Sequence, residues 1–473
     1  MILDKSSICH YYNKHNRVRL QINTFTLVDE KENSLYNIDM KKFNTSPISG
    51  MQELTPAKQA LFDKLKNEIA GVYHSHGFLS IETPIIDRTE ILLAKAGGDT
   101  EKQIYKVVKT AETEGDADQA LRFDHTVPLA RYVVEHESDL TFPFKVTQIG
   151  RNFRGERAQK GRFREFYQLD VDVIGRDKLS IAYDAEVIKT AFDAFSTFIK
   201  DKAVIRISNR KILSGLLQEL GLQTKSEDIF GIIDHAEKVS KEKTVSSFEE
   251  VGLSQAEIDK LIGFMDISGA RESVIEKLNN LGINNDIFAL GVSELDEVLS
   301  LLEKQGLKDA MIGDMLIIRG LDYYTGTVFE TFLPEHREIG SICSGGRYEN
   351  LASNYTDQKF PGVGASIGLT RLFYVLNGNN MLDNGDEKPL DLVLIPFSEN
   401  EYEYTFNLAD KLRGCGKTVD VNMTDKKVGD KFTYAAKIAK FASVIGGNEV
   451  ETGNIEVKNL ETGEKLKLED YIR

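Results

Sequence analysis

The chain has 473 residues, of which 41% are hydrophobic, 28% charged and 9% aromatic, a balance that suits about three core-forming domains and excludes collagen-like, low-complexity and wholly disordered chains. Its 59 basic and 74 acidic residues leave a net charge of −15, so contact with nucleic acid has to come from local basic patches and not from the field of the whole protein. No run of about 18 apolar residues offers a membrane span, the opening MILDKSSICHYYNKHNR lacks the apolar stretch of a signal peptide, and Cys9, Cys343 and Cys415 stand far apart with no CxxC, which together imply a reducing cytoplasm.

Residues 1–47 hold little beyond the alternating run VRLQINTFTLVD and are expected to form a strand-bearing extension of unknown role. A helix is predicted from Thr55-Pro56 to Gly77, with Thr as cap, Pro in the first turn and Ala60, Leu61, Leu65, Ile69 and Val72 on one face. FLSIETPII then reads as extended through Pro84. Strands are predicted at 143–154, 162–174, 203–208, 314–319 and 327–333. The stretch of about 222–310 is helical and acidic, as in SELDEVLSLLEKQG, and reads as an insertion into a sheet-based domain at 48–376. NGNNMLDNGDEKP (377–389) has linker composition. After it, LDLVLIPF is a buried-strand pattern that opens a small α/β domain at 390–473. The histidines form no ligand-spaced cluster, so no metal site is expected from them.

Two basic patches oppose the overall charge. Residues 145–164 carry seven Lys and Arg against Glu156 alone, and residues 411–440 carry eight against Asp420, Asp425 and Asp430. A long antiparallel hairpin is predicted over 143–174, with a Gly-containing basic loop at its tip. Strand parity puts Phe163, Tyr167, Leu169, Val171 and Val173 on a core face and Arg162, Arg164, Phe166, Gln168, Asp170 and Asp172 on the other. Arginine forks match phosphate oxygens, an aromatic gives a planar base something to stack on, and paired carboxylates suit a polar or cationic ligand. A merely solvated strand face is the plainer alternative. Further on, IIRGLDYYTGTVFE (317–330) reads as strand, Gly turn and strand with Arg319 at the bend, and Asp124-His125-Thr126 as a helix N-cap before VPLARYVV. CSGGRYENL (343–351) has the composition of a tight glycine turn. Gly362, Gly364 and Gly368 miss the dinucleotide fingerprint by one residue, and no G-x-x-x-x-G-K-[ST] occurs.

Taken together, Gly150-x-x-x-Arg154-x-Glu156, the loop RAQKGR and FREFYQLDVDVIG resemble motif 2 of the class II aminoacyl-tRNA synthetases, and with IIRGLDYYTGTVFE, LRFDHTVPLARY (for LRxDxTxPxAR), CSGGRYENL and the motif 3-like GVGASIGLTRLFYVL they resemble the histidyl-tRNA synthetase family. The resemblance implies an α+β fold: an antiparallel sheet flanked by helices, a helical insertion and a C-terminal α/β anticodon-binding domain. It implies a histidine–tRNA ligase that activates histidine with ATP and Mg²⁺, transfers it to its cognate tRNA(His), and works as a cytoplasmic homodimer built on motif 1, ISGMQELTP with the helix after it. By the same carry-over, Arg154 and Arg319 are catalytic, gripping the α-phosphate and the amino-acid carboxylate. Asp124, Thr126, Gln168, Asp172, Tyr323, Tyr324 and Tyr348 surround histidine with them; Glu156, Arg162, Phe166 and Arg371 hold ATP with Arg154; Arg157 and Gln159 meet the tRNA acceptor end. The chain departs from the common pattern with Thr370 in place of Glu in motif 3, Glu53 in place of Asp, Ala158 in the motif 2 loop, and Asp where bacterial members have Glu at 124 and 172. A histidine-sensing paralogue, the regulatory subunit of ATP phosphoribosyltransferase, is the rival reading; it typically lacks the ATP-site arginines and the C-terminal domain that this chain carries.

Overall fold

The computed structural model describes residues 18–21, 26–29, 34–37, 43–94, 101–111, 118–199, 203–318, 323–379, 381–382 and 388–472. The chain divides into two units, Met1–Ile48 and Ser49–Arg473. In the first, the alternating run supplies β1 (Val18–Gln21) and β2 (Thr26–Asp29), and β3 (Ser34–Asn37) completes an antiparallel meander.

The second unit opens with helix Pro56–Ser75, which starts where Thr55-Pro56 indicate and buries Phe62, Leu65, Ile69 and Tyr73. The buried face is turned toward the two aromatics relative to the expected stripe, because Tyr73 donates through its hydroxyl to the Leu169 carbonyl, 3.2 Å away. Gly77, at φ 82°, ends the helix and releases the chain into β4 (Leu79–Ser80). A three-stranded sheet follows, β5 (Ile86–Arg88), β6 (Lys106–Val107) and β7 (Gln119–Leu121). The expected hairpin is β8 (Phe144–Phe153) with β9 (Glu165–Ile174), antiparallel along its whole length. Then come β10 (Val204–Asn209), β11 (Ser268–Gly269), β12 (Met311–Asp314), β13 (Thr327–Phe332), β14 (Cys343–Tyr348) and β15 (Gly362–Gly368).

Nine strands form one sheet in the order β11-β12-β10-β13-β14-β15-β9-β8-β4. Every neighbour pair runs antiparallel except β10 with β12 and β4 with β8. Leu169, Val171 and Val173 of β9 and Val363, Ala365 and Ile367 of β15 point into one core, where helices Pro56–Ser75, Ala182–Ser196 and Asp286–Lys304 cover the sheet. Buried residues of the helical block, among them Phe248, Leu261, Phe264 and Val274, belong to that same core. The block is tied to the sheet edge by β11 and by Glu294, which accepts from Asn209 Nδ2 at 2.7 Å.

Two expectations are corrected. The strand predicted at 314–319 lies at Met311–Asp314, because the Asp314 side chain accepts from Leu316 N at 3.0 Å and turns the chain out of the sheet; IIRGLDYYTGTVFE therefore begins after a strand and not as one. CSGGRY is strand β14 and not a turn, its glycines being needed for contacts across the sheet.

The C-terminal strands are β16 (Leu390–Pro396), β17 (Val419–Val421), β18 (Ala439–Ile445), β19 (Glu456–Asn459) and β20 (Lys465–Lys467), in the order β17-β16-β18-β19-β20. Central β16 is parallel to both neighbours. Leu392 and Leu394 face helix Tyr402–Gly414 on one side, and Val393 and Ile395 face helix Val428–Ile438 on the other. Burial on both faces is why this strand reads as an unbroken apolar run. Among the described residues no helix is long and apolar enough to cross a membrane.

Candidate active site

On the face of the sheet opposite the core, β9 presents Gln168, Asp170 and Asp172, opposite Gly368, Ser366 and Gly364 of β15. The glycines are explained by what stands over them. A Cβ on Gly364 would come 2.1 Å from Asp172 Oδ1, one on Gly362 would come 2.3 Å from the Tyr348 ring, and one on Gly346 would come 3.0 Å from the Tyr324 ring. This glycine floor gives depth for a pocket. Tyr348 donates to Asp172 Oδ1 at 2.9 Å. The ring of Tyr323 meets Tyr324 and Tyr348 edge-on, with centroids 5.0 and 6.1 Å apart. Burial raises the pKa of all three phenols, and neighbouring Asp124 and Asp172 push the same way. They remain neutral O–H donors.

The wall beside this pocket is helix Thr126–Glu135. Asp124 caps it by accepting from Val127 N at 3.0 Å, so the helix-cap reading holds at a residue that also faces the site. Thr126 opens the helix and is half-buried. Asp124, Asp170 and Asp172 are all buried. Burial, and next the charge of Asp170, holds the Asp172 carboxyl well above the usual carboxylate range. Burial also raises Asp124, against the opposing pull of the Val127 N–H and of Arg154. Three carboxylates this close and this dry are a site for a cation.

The basic tip of the hairpin forms the other half. Arg154 lies between two rings, its guanidinium carbon 4.3 Å from the Phe123 centroid and 5.0 Å from that of Phe166. Arg162 pairs with Glu156 at 3.1 Å. Arg371 donates to the carbonyls of Gly161 and Ser341 at 3.1 and 2.9 Å. Burial, then the charges of Arg162 and Arg154, lowers its pKa. Gly161, at φ 70°, lets Gln159 and Arg162 exchange two backbone hydrogen bonds and close the loop. Arg157 and Gln159 are exposed near that tip. Thr370, the departure in motif 3, is buried and accepts from Tyr167 N at 2.8 Å, satisfying a backbone donor of β9.

The structure thus brings Asp124, Thr126, Arg154, Gln168, Asp172, Tyr323, Tyr324 and Tyr348 toward one pocket and Glu156, Phe166, Arg162 and Arg371 beside it. Arg319 lies outside the described residues. Asn152 and Ser366, which carry no motif, and His125, expected only as part of a helix cap, hydrogen-bond with Gln168 and Asp170 beneath the pocket. Beneath them, Arg347 makes a buried fork with Asp184 at 2.8–3.2 Å, clamping β14 to helix Ala182–Ser196. Only a strand register could have signalled these partners.

Comparison with known proteins matches both parts of the second unit. The family model for histidyl-tRNA synthetase matches residues 50–372, and that for the anticodon binding domain matches residues 391–472. The histidine–tRNA ligase of Clostridium tetani is 44% identical over 440 residues, covering 92% of this chain and 99% of its own. That of Clostridium acetobutylicum is 42% identical, covering 90% and 98%. The crystal structure of histidyl-tRNA synthetase from Nostoc sp. PCC 7120 superposes with a TM-score of 0.81 at 36% identity, covering 91% of this chain and 98% of that one.

Proposed function

The chain belongs to the histidyl-tRNA synthetase family, and from that premise we propose how its residues share the reaction. The activity is histidine–tRNA ligation: histidine and ATP give histidyl-adenylate and pyrophosphate, and histidine then passes to the 3′ end of its tRNA. Relatives at 44, 42 and 41% identity carry the ligase name, which favours this reading over the histidine-sensing regulator.

Asp124, Thr126, Gln168 and Asp172 take the α-ammonium group. A carboxyl held well above its usual range gains most from a bound cation, and Asp172 is that group. Tyr323, Tyr324 and Tyr348 close on the imidazole. The neutral hydroxyls not already spent on Asp172 discriminate against apolar analogues, which would leave buried donors unpaired. Phe166 stacks on adenine, Arg154 and Arg319 approach the α-phosphate, and Glu156, Arg162 and Arg371 hold the rest of the nucleotide. The histidine carboxylate attacks the α-phosphorus as the bond to pyrophosphate breaks, and the arginines neutralise charge on the non-bridging oxygens. No side chain needs to form a covalent bond.

Mg²⁺ would arrive with ATP and shield its phosphate charge. Among the described residues no group of three ligating side chains forms a cage. Such an ion needs only phosphate oxygens and one or two carboxylates, and Glu156, paired with Arg162 beside the nucleotide, would be one of them.

For tRNA, exposed Arg157 and Gln159 meet the acceptor end, and the basic 411–440 stretch contacts phosphate, positioning the RNA without reading its sequence. A cytoplasmic homodimer completes the reading, with helix Pro56–Ser75 at the interface.

One observation carries the proposal: a tyrosine-lined carboxylate pocket and a group of arginines lie side by side on one sheet. Amino-acid-dependent pyrophosphate–ATP exchange, run with each of the twenty amino acids and no tRNA, tests it. Exchange with histidine alone is the expected result. Exchange with another amino acid would overturn the pocket assignment, and folded protein that binds histidine without exchange would favour the regulator.

A further inference from the structure

A chain of polar side chains runs under the histidine pocket and ends on a residue that the reading above does not use. His125 is 0% exposed, and its Nδ1 lies 2.9 Å from Asp170 Oδ2. The other oxygen, Asp170 Oδ1, accepts from Ser366 Oγ, and Ser366 Oγ accepts from Gln168 Nε2. At the far end Gln168 Oε1 accepts from Asn152 Nδ2 at 2.7 Å. Asp170 is itself pinned, since Thr147 Oγ1 donates to its backbone carbonyl at 2.8 Å.

The direction of each bond follows from the carboxylate. A carboxylate only accepts, so Nδ1 of His125 carries the hydrogen it shares and Ser366 spends its single O–H on Asp170. Ser366 has only a lone pair left for Gln168. The amide of Gln168 must therefore turn its NH₂ toward β15 and its oxygen toward β8. A flipped amide would set two lone pairs against each other at Ser366. The other imidazole nitrogen cannot substitute. Nε2 of His125 is buried against Gly150, meets no hydrogen-bond partner among the described residues, and shares that spot with Arg122 Nη2.

We infer that His125 is a positioning residue which, through Asp170 and Ser366, locks the carboxamide of Gln168 with its oxygen fixed on the β8 side, ready to accept from the substrate's ammonium group. This rests on the reading of Gln168 as a histidine-binding residue. Position 125 is one that the LRxDxTxPxAR block does not specify, so the motif alone assigns His125 no role.

Pyrophosphate exchange with histidine and ATP varied separately tests it. His125→Leu and Ser366→Ala are each expected to raise the histidine KM roughly tenfold while the ATP KM moves less than about twofold. The double variant is expected to be no worse than either alone, because both cut one chain. His125→Asn, whose amide nitrogen can stand where Nδ1 stands, is expected to restore the wild-type KM, and His125→Gln, whose nitrogen falls at the Nε2 position, is not. An unchanged histidine KM in folded His125→Leu, additive losses in the double variant, or His125→Asn as impaired as His125→Leu would each overturn the inference. Should His125→Leu not fold, Ser366→Ala against His125→Asn carries the same contrast, and equal KM values would overturn it. Wild-type protein with no histidine-dependent exchange would instead fell the reading of the pocket, and the relay with it.

Discussion

The two halves of the cleft are built on opposite plans. In the histidine half, polar groups are largely satisfied by one another: Tyr348 on Asp172, Val127 N–H on Asp124, and the chain from His125 to Asn152. In the nucleotide half, Arg371 spends its donors on carbonyls, Arg154 leans on two rings, and one carboxylate, Glu156, pairs with Arg162. One half is a finished mould that wants a single positive charge, and the other is an excess of positive charge that wants an anion. Selectivity for a small amino acid needs fixed donors and acceptors. Charge that develops on phosphate during reaction needs oriented cations already in place.

The comparison breaks most severely at its support. Asp184→Ala would take from buried Arg347 its buried carboxylate and leave it only the partly exposed Glu349, and removing one partner of such a buried pair costs about 3–5 kcal/mol. Denaturant unfolding should show that loss, and because β14 carries Tyr348, residual activity should fall on histidine affinity first. Arg154→Ala should leave the fold intact and lower histidine activation by roughly 10²–10³-fold, the usual cost of a donor aimed at developing charge. Single-turnover adenylate formation is the measurement.

A third test uses pH. Burial, and next the charge of Asp170, raises the pKa of the Asp172 carboxyl, so the folded protein holds that proton where the unfolded chain has released it. Its contribution to stability is therefore full below the ordinary Asp value and is lost as pH rises through the raised one. Asp172→Asn should accordingly be more stable than wild type at neutral pH without ligand, with the gap closing in acid; thermal unfolding across that range checks it. The smallest effect belongs to Thr370→Ala, which should cost about 1 kcal/mol by freeing Tyr167 N–H and leave the histidine KM unchanged.

Thr370 also shows what could be read from the chain and what could not. Set against a family pattern it is only a missing glutamate; in the fold it caps a strand from a residue 203 positions away. The hairpin at 143–174 was legible because parity separates Leu169, Val171 and Val173 from Gln168, Asp170 and Asp172. LDLVLIPF was legible because both of its faces are buried. Strand β12 was misplaced because one Asp314 side-chain bond ends it, and apolar residues continue past that point. Ser366 and Asn152 could not be found from local pattern, since what unites them is the register of β8, β9 and β15, and His125 joins them only through its side-chain contact with Asp170.

The division of the cleft is tested most directly by exchange kinetics with both substrates varied in wild type, Asp172→Asn and Arg371→Ala. A clean split is expected: Asp172→Asn raises the histidine KM and leaves that for ATP, and Arg371→Ala does the reverse. Both variants moving the same constant would contradict it.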